Sequence, residues 1–195
     1  KINNKIINLN LPDEYGVKIT FVEIFLDDTY KLDWIKKFAK KKNIHIRSIL
    51  DVGGNCGLTS MLFRLHFSKS VIHCYEPNLE IINYLKYNAE LLNFDYYNEA
   101  VGDKKGSVKL NISKNDSILS HISSDESGAT QQISFDMAFK RFGVDNLDIV
   151  KMDCEGSEWE IFNHIEIWKK VKLLTMEYHL GENNFDHNRI VDALN

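Results

Sequence analysis

Apolar positions along the chain form short uninterrupted runs, separated by longer segments in which apolar residues recur three and four positions apart. The short runs predict β-strands that are buried on both faces, because such strands need apolar side chains at nearly every position. The strands predicted in this way, in chain order, are SILDVGG, SVIHCYEP, DYYNEAV, LDIVKMDCEG and VKLLTMEYHL.

The segments between these strands have helical periodicity and predict amphipathic helices that cover the sheet. The clearest are GLTSMLFRLHF, NLEIINYLKYNAELLN with Asn78 as its predicted N-cap, and SEWEIFNHIEIWKK. Strands that alternate with helices are typical of a mainly parallel sheet with helices on both faces. We therefore predict an α/β fold whose ligand site lies at the carboxyl edge of the sheet.

One part of the chain departs from this alternation. GDKKGS indicates a hairpin-like turn that leads into the short strand SVKLNIS, and we expect small hairpin elements at about residues 101–138 to decorate one side. The polar stretch 113–132 is long for a connection in a compact domain, a length that usually means a functional loop or disorder. We predict that it is a lid.

The turn after the first strand carries the strongest chemical signal. ILDVGGNCGLTS contains Asp51, Gly53, Gly54 and Gly57 but lacks the G-x-G-x-x-G spacing that binds the pyrophosphate of dinucleotides. An acid at the end of the strand would repel an anion there and would favour a ligand with positive charge. S-adenosylmethionine, which carries a sulfonium and an ammonium group, meets that requirement.

Acids also end the second and third strands. Glu76 lies where nucleotide-binding sheets place the acid that accepts hydrogen bonds from ribose hydroxyls, and Pro77 stops the strand so that the chain can turn over a ligand. Glu99 and Ala100 end the third strand beside the expected adenine. Ala100 is small enough to let a ring approach, whereas Glu99 faces either the ligand or solvent.

The last two strands supply candidate catalytic groups. Asp153 ends the fourth strand and faces either the methionine end of the cofactor or the acceptor. The nearby Glu155 fits a role as a helix cap as well as a role in the site. Asp153 and Glu155 alone do not make a metal site, and none is predicted. Glu177 and His179 lie on one face of the fifth strand, where His179 is suited to accept a proton.

Composition narrows the class of protein. The 195 residues suit a single domain, and the formal net charge of −4 argues against a nucleic-acid binder. The three cysteines form no C-x-x-C pair, and no run is long enough to span a membrane, so we expect a cytoplasmic protein with no membrane partner. The lysine-rich segment KLDWIKKFAKKKNIHIR is either a solvated helix face or a contact for a phosphate-bearing substrate or acidic partner.

Several stretches together resemble the FkbM-type S-adenosylmethionine-dependent methyltransferases. They occur in the order FVEIFLDDTY, ILDVGGNCGLTS, CYEPN, EAVGDKKGSVKL, DIVKMDCEGSEWEIF and EYH. The KMDCEGSE stretch is the most specific of them, because this arrangement of acids and glycine after a buried strand is rare elsewhere.

The resemblance implies a Rossmann-like class I methyltransferase fold and transfer of a methyl group to a hydroxyl of a sugar or other small metabolite. It also implies that Asp51, Gly53, Asn55 and Gly57 cradle the methionine end of the cofactor. Glu76 would hold the ribose and Asp153 would lie beside the transferable methyl.

The resemblance predicts one domain over residues 1–195, with 1–46 as an amino-terminal extension and a carboxyl-terminal hairpin that is expected to be missing. Two rival functions stay open. One is a non-catalytic protein that binds S-adenosylmethionine or acts by interaction, and the other is a nicotinamide-dependent oxidoreductase, which the glycine spacing disfavours. The sequence does not indicate an oligomeric state.

Overall fold

A computed structural model describes residues 6–111, 121–123, 128–154, 158–177 and 190–191. The helices are α1 Tyr15–Phe25, α2 Leu32–Lys42, α3 Leu58–His66, α4 Ile82–Leu92, α5 Phe135–Lys140, α6 Glu158–Ile161 and α7 Ile165–Trp168. The strands are β1 Ser48–Val52, β2 Val71–Tyr75, β3 Asp95–Tyr97, β4 Ala100–Gly102, β5 Gly106–Asn111, β6 His121–Ser123, β7 Thr130–Ser134, β8 Ile149–Met152 and β9 Leu174–Met176. Within these ranges no helix is both long enough and apolar enough to cross a membrane.

Within the described residues, the main sheet has five parallel strands in the order β3-β2-β1-β8-β9. The order reverses between β1 and β8, so the first strand lies at the centre and its carboxyl end faces a crevice. The predicted α/β fold is therefore confirmed, with its strands in the predicted chain order.

Apolar side chains that alternate between the two faces of the strands form two hydrophobic layers, one on each side of the main sheet. Ile49 and Ile149 pack with residues of α1 to α4 on one face, whereas Leu50, Val150 and Met152 pack with residues of α5 to α7 on the other. Successive side chains of a strand point to opposite faces, so odd-numbered positions of β1 and β8 share the α1–α4 face. This parity decides where the polar residues of those two strands lie.

The expected small hairpin is present, because β5 and β6 pair antiparallel, but the pairing expected around the GDKKGS turn is wrong. A separate four-stranded sheet has the order β4-β7-β5-β6, and β7 lies between β4 and β5, which therefore do not pair across the GDKKGS turn. The predicted strand DYYNEAV also divides, with β3 in the main sheet and β4 in the second. The Asn98 side chain donates to the Glu76 backbone oxygen (2.9 Å) at the point of division. Most of the proposed lid over 113–132, namely residues 113–120 and 124–127, lies outside the described residues.

Two helix predictions need correction. The helix predicted over SEWEIFNHIEIWKK is two short helices, α6 and α7, and the indole nitrogen of Trp168 donates across the break to the Ile161 oxygen (3.1 Å). Helix α4 begins four residues after Asn78, whose side chain accepts from the Glu80 amide (2.9 Å) in a turn that precedes the helix. Asn78 therefore orders the approach to the helix rather than capping it.

The amino-terminal helices pack on the main sheet. Val17 and Ile24 of α1 and Leu32 and Ile35 of α2 are buried in the same cluster as Ile49 of β1. The lysines of α2 face outward, as helical spacing predicts.

Asp148 joins three strands at the amino edge of the main sheet. Its carboxylate accepts from the backbone amides of Arg47 (2.7 Å) and Ser48 (3.1 Å) and from the Lys172 ammonium (2.6 Å). Burial raises the pKa of Asp148, but Lys172 and the two amides outweigh it and hold that pKa below its ordinary value. The ionised carboxylate therefore stabilises the fold at neutral pH.

Replacing Asp148 by Ala is expected to destabilise the protein by about 1–3 kcal/mol, because it leaves the Ser48 amide buried without an acceptor. The depressed pKa means that the Asp148 contribution is present above the unfolded pKa and is lost as the pH falls through the folded one. Urea denaturation of both proteins at several pH values measures the difference. Asp145→Ala, a change at an exposed neighbour, is the control; equal stability of the two variants would contradict the prediction.

Candidate functional site

A cleft opens at the carboxyl ends of β1, β2 and β8, and the start of β4 contributes to its wall. Most of the residues predicted from the strand ends line it. They are Gly53, Gly54, Asn55, Glu76, Pro77, Glu99, Ala100 and Asp153. These residues therefore lie around one common cleft.

The glycine turn is compact because the neighbouring strand comes very close. Gly53 has φ +75°, and a Cβ there would lie 1.7 Å from the Asp153 backbone oxygen. The amides of Gly53 and Gly54 both donate to the Tyr75 oxygen (3.0 Å each), and the Asn55 amide donates to a Glu76 carboxylate oxygen (2.8 Å). The amides at the start of the turn are thus used within the protein.

Glu76 is fixed at the end of β2 with both carboxylate oxygens engaged. Oε2 accepts from the Asn55 amide and Oε1 from the Asn78 amide, each at 2.8 Å. Burial raises the pKa of Glu76 to about 7, although the two amides oppose the rise. Each oxygen keeps a second lone pair, so the ionised group can accept two further hydrogen bonds.

Asp51 does not line the cleft. It is fully buried, its Oδ2 accepts from the Ser60 hydroxyl (2.6 Å), and its Oδ1 lies 3.4 Å from the Lys151 ammonium. Burial raises the pKa of Asp51, while Lys151 and Ser60 act in the opposite direction. The positive charge that the Asp51 carboxylate faces is therefore that of a lysine within the protein.

Lys151 is directly opposite Asp51 in the β1–β8 register, and both side chains lie on the α1–α4 face. Its ammonium donates to the Gly53 oxygen (2.6 Å) and lies 3.7 Å from Asp153 Oδ2. Burial would lower the pKa of Lys151, but Tyr30, Asp51 and Asp153 outweigh it and raise that pKa well above the ordinary value. Lys151 is thus a buried cation that joins the glycine turn to both acids.

Asp153 lies on the cleft wall and is partly exposed. Its Oδ2 accepts a hydrogen bond from the Tyr30 hydroxyl (2.5 Å), and its backbone amide donates to the Val52 oxygen (3.1 Å). The carboxylate therefore has a fixed position between a phenol and an ammonium.

Comparison with known families agrees with this geometry. Residues 51–195, well over half of the chain, match the model of the methyltransferase FkbM domain. The chain belongs to the FkbM methyltransferase family. No curated protein matches the sequence.

Two of the candidate residues in this FkbM methyltransferase domain have partners or positions that the sequence left open. The Glu99 carboxylate forms a bidentate ion pair with Arg141, and the Arg141 guanidinium lies 4.5 Å from the Tyr97 ring centroid. Glu99 therefore borders the cleft with its charge neutralised by arginine. Ala100 is buried at the start of β4 and leaves space beside it.

The remaining candidates differ in position. Gly57 lies behind the cleft with φ +90°, where a Cβ would lie 3.0 Å from the Leu85 side chain, so it serves helix packing. His179 and Glu155 lie outside the described residues. Among the described residues, no group of three or more His, Cys, Asp or Glu side chains is arranged to hold a metal ion.

Lys151 and Tyr30 were not predicted from the sequence as site residues. A lysine within an otherwise apolar strand, LDIVKMDC, was an available signal, because a buried lysine requires a countercharge. Val17, Thr20 and Ile24 of α1 also line the cleft, and they precede the matched family region. Nothing in their local pattern distinguishes them from ordinary core residues.

Replacing Lys151 by Met is expected to destabilise this FkbM-family protein by about 3–5 kcal/mol, because Asp51 then stays buried without its countercharge. The double variant Lys151→Met with Asp51→Asn should recover part of that loss. Chemical denaturation measures both, with the exposed Lys86→Met as control. A single variant as stable as the parent would show that the buried pair contributes nothing.

Proposed function

We propose that the protein transfers a methyl group from S-adenosylmethionine to a hydroxyl oxygen of a sugar or other small metabolite. The observation that carries the proposal is the single cleft into which the glycine turn, Glu76 and Asp153 converge at the carboxyl edge of a parallel sheet. Membership of the FkbM methyltransferase family supplies the reaction class.

The ribose end of the donor is assigned to Glu76. A ribose presents two neighbouring hydroxyl donors, and a carboxylate held by two backbone amides presents two oxygens with lone pairs to spare. Pro77 follows it on the cleft wall, and the small Ala100 leaves room for a flat ring nearby.

The charge of the cleft supports a cationic nucleoside over a dinucleotide. A pyrophosphate needs several free backbone amides, but those of Gly53, Gly54 and Asn55 already have acceptors within the protein. Asp153 adds a carboxylate on the wall, which favours a sulfonium or an ammonium group and disfavours phosphate. The nicotinamide-dependent alternative therefore finds no support in this geometry.

The chemical step requires little beyond positioning. An acceptor oxygen attacks the sulfonium methyl in line, the carbon–sulfur bond breaks, and the donor leaves as neutral S-adenosylhomocysteine. Holding the two reactants in line can supply roughly 7–11 kcal/mol in favourable cases. The apolar wall formed by Val17 and Ile24 would keep water from the reacting groups.

The buried free thiols of Cys56, Cys74 and Cys154 support a reducing compartment such as the cytoplasm.

Calorimetric titration with S-adenosylhomocysteine tests the donor site, with NADH titrated in parallel. We expect micromolar binding of the first ligand and none of the second. Glu76→Ala should weaken binding about 10- to 100-fold, since it removes two charge-assisted hydrogen bonds. Glu80→Ala, an exposed acid four positions on, is the matched control. Unchanged affinity in Glu76→Ala would remove that residue from the ribose site.

The raised pKa of Glu76, about 7, adds a pH signature to the same titration. Only the ionised carboxylate accepts two hydroxyl hydrogen bonds, so a protonated Glu76 must lose its proton before the ligand binds. Affinity is thus expected to be constant above the folded pKa and to fall by up to about tenfold per pH unit below it. Glu76→Gln should bind weakly with a flat profile, and a parallel slope in that variant would assign the titration to another group.

The hydroxyl proton of the acceptor needs a base, and we assign it to His179, with Asp153 as the alternative. His179→Ala is expected to retain S-adenosylhomocysteine affinity while turnover falls about 10²- to 10⁴-fold, the range typical of general bases. A screen of sugars and small alcohols for release of S-adenosylhomocysteine provides the turnover assay. Full activity of His179→Ala would leave Asp153→Asn as the variant that must lose it.

A further inference from the structure

Tyr30 reaches the cleft from outside the matched family region. It ends the family-like segment FVEIFLDDTY, which covers the last turns of α1 and the connection to α2. Tyr30 is buried and lines the same cleft as Glu76 and Asp153. The family match begins only at residue 51. The cleft therefore includes a polar group that the matched region does not supply.

The polar contacts of Tyr30 are directed at β8 and at the neighbouring strand β9. The hydroxyl donates to Asp153 Oδ2 (2.5 Å), and the Lys151 ammonium lies 5.1 Å from the ring centroid and 3.7 Å from the same carboxylate oxygen. The Thr175 hydroxyl of β9 donates to the Tyr30 backbone oxygen (2.9 Å). Tyr30 is thus anchored to β9 through its backbone, while its hydroxyl orients Asp153 at the end of β8.

The backbone around Tyr30 is shaped to hold it there. Asp28 and Lys31 both have positive φ, at 49° and 54°. The Asp28 carboxylate accepts from the amides of Leu32 (2.7 Å) and Asp33 (3.3 Å) at the start of α2. A left-handed backbone at two non-glycine residues is unfavourable, so this turn is maintained by the capping contacts and by the buried phenol.

Burial raises the pKa of Tyr30, so the phenol is neutral at physiological pH and acts as a hydrogen-bond donor. A donor to one carboxylate oxygen fixes the rotation of the whole group. Without the hydroxyl, the charged contact that the described residues leave to Asp153 is the Lys151 ammonium at 3.7 Å, which has much weaker directional preference.

We propose that Tyr30 is a positioning residue that holds the Asp153 carboxylate toward the charged methionine end of the methyl donor. This rests on the proposed function. The amino-terminal segment would then take part in donor recognition, because Tyr30 orients Asp153, an acid that lies within the matched residues 51–195.

Two ligands that share the nucleoside and differ in the amino-acid end test the assignment. S-adenosylhomocysteine carries the ammonium and carboxylate, whereas 5′-methylthioadenosine lacks both. Tyr30→Phe keeps the ring over Lys151 and removes only the hydroxyl. By calorimetry we expect about tenfold weaker binding of S-adenosylhomocysteine and less than about twofold change for 5′-methylthioadenosine. Tyr96→Phe, which removes the same atoms from β3 away from the cleft, should change neither affinity.

A double-mutant cycle separates positioning from a merely structural role. In an Asp153→Ala background, Tyr30→Phe should have no further effect on S-adenosylhomocysteine binding, because the hydroxyl acts through that carboxylate. Equal weakening of both ligands, or an unchanged ratio of their affinities, would overturn the proposal while leaving the proposed function intact. A parent protein that binds neither ligand would overturn both.

Discussion

The buried ammonium of Lys151 is the interaction on which the site depends. A cation that is buried away from water needs ion-pair and hydrogen-bond partners. For Lys151 these are the Asp51 and Asp153 carboxylates and the Gly53 backbone oxygen. Each partner belongs to a different part of the site: the central strand, the end of β8 and the glycine turn. The charge of Lys151 therefore constrains the relative positions of all three. Loss of any one of them would leave a buried charge incompletely compensated.

This arrangement also determines what the cleft can bind. The first amides of the glycine turn are engaged by the Tyr75 oxygen and by Glu76, so the turn offers few donors to a ligand. Among the described residues, the wall also presents two carboxylates that can accept hydrogen bonds, those of Glu76 and Asp153. A site of this kind suits a ligand that supplies hydroxyl donors and positive charge. Electrostatic complementarity of this type distinguishes a sulfonium nucleoside from a phosphorylated one without any special loop sequence.

Much of the fold and part of the site could be predicted from the sequence. Apolar runs and helical periodicity were sufficient for the five parallel strands, and strand ends converge at one edge, so the position of Glu76 and Asp153 in a common cleft followed. The second sheet could not be predicted, because a strand inserted between β4 and β5 has the same local pattern as a hairpin. Lys151 was missed because its partner is set by register across β1 and β8. Tyr30 contacts an acid 123 positions away, which no local spacing indicates.

The division of the cleft between two parts of the chain has a physical consequence. The family region supplies the turn, Glu76 and Asp153, whereas α1 and Tyr30 supply an apolar wall and a phenol from outside it. The wall determines how much water remains around the reacting groups, and the phenol determines how one carboxylate is turned. Neither property can be inferred from the family region alone, although both affect the environment of the transferred methyl. The amino-terminal helices are thus part of the site in the same sense as the glycine turn, since removing them would expose Lys151 and release Asp153 from its donor.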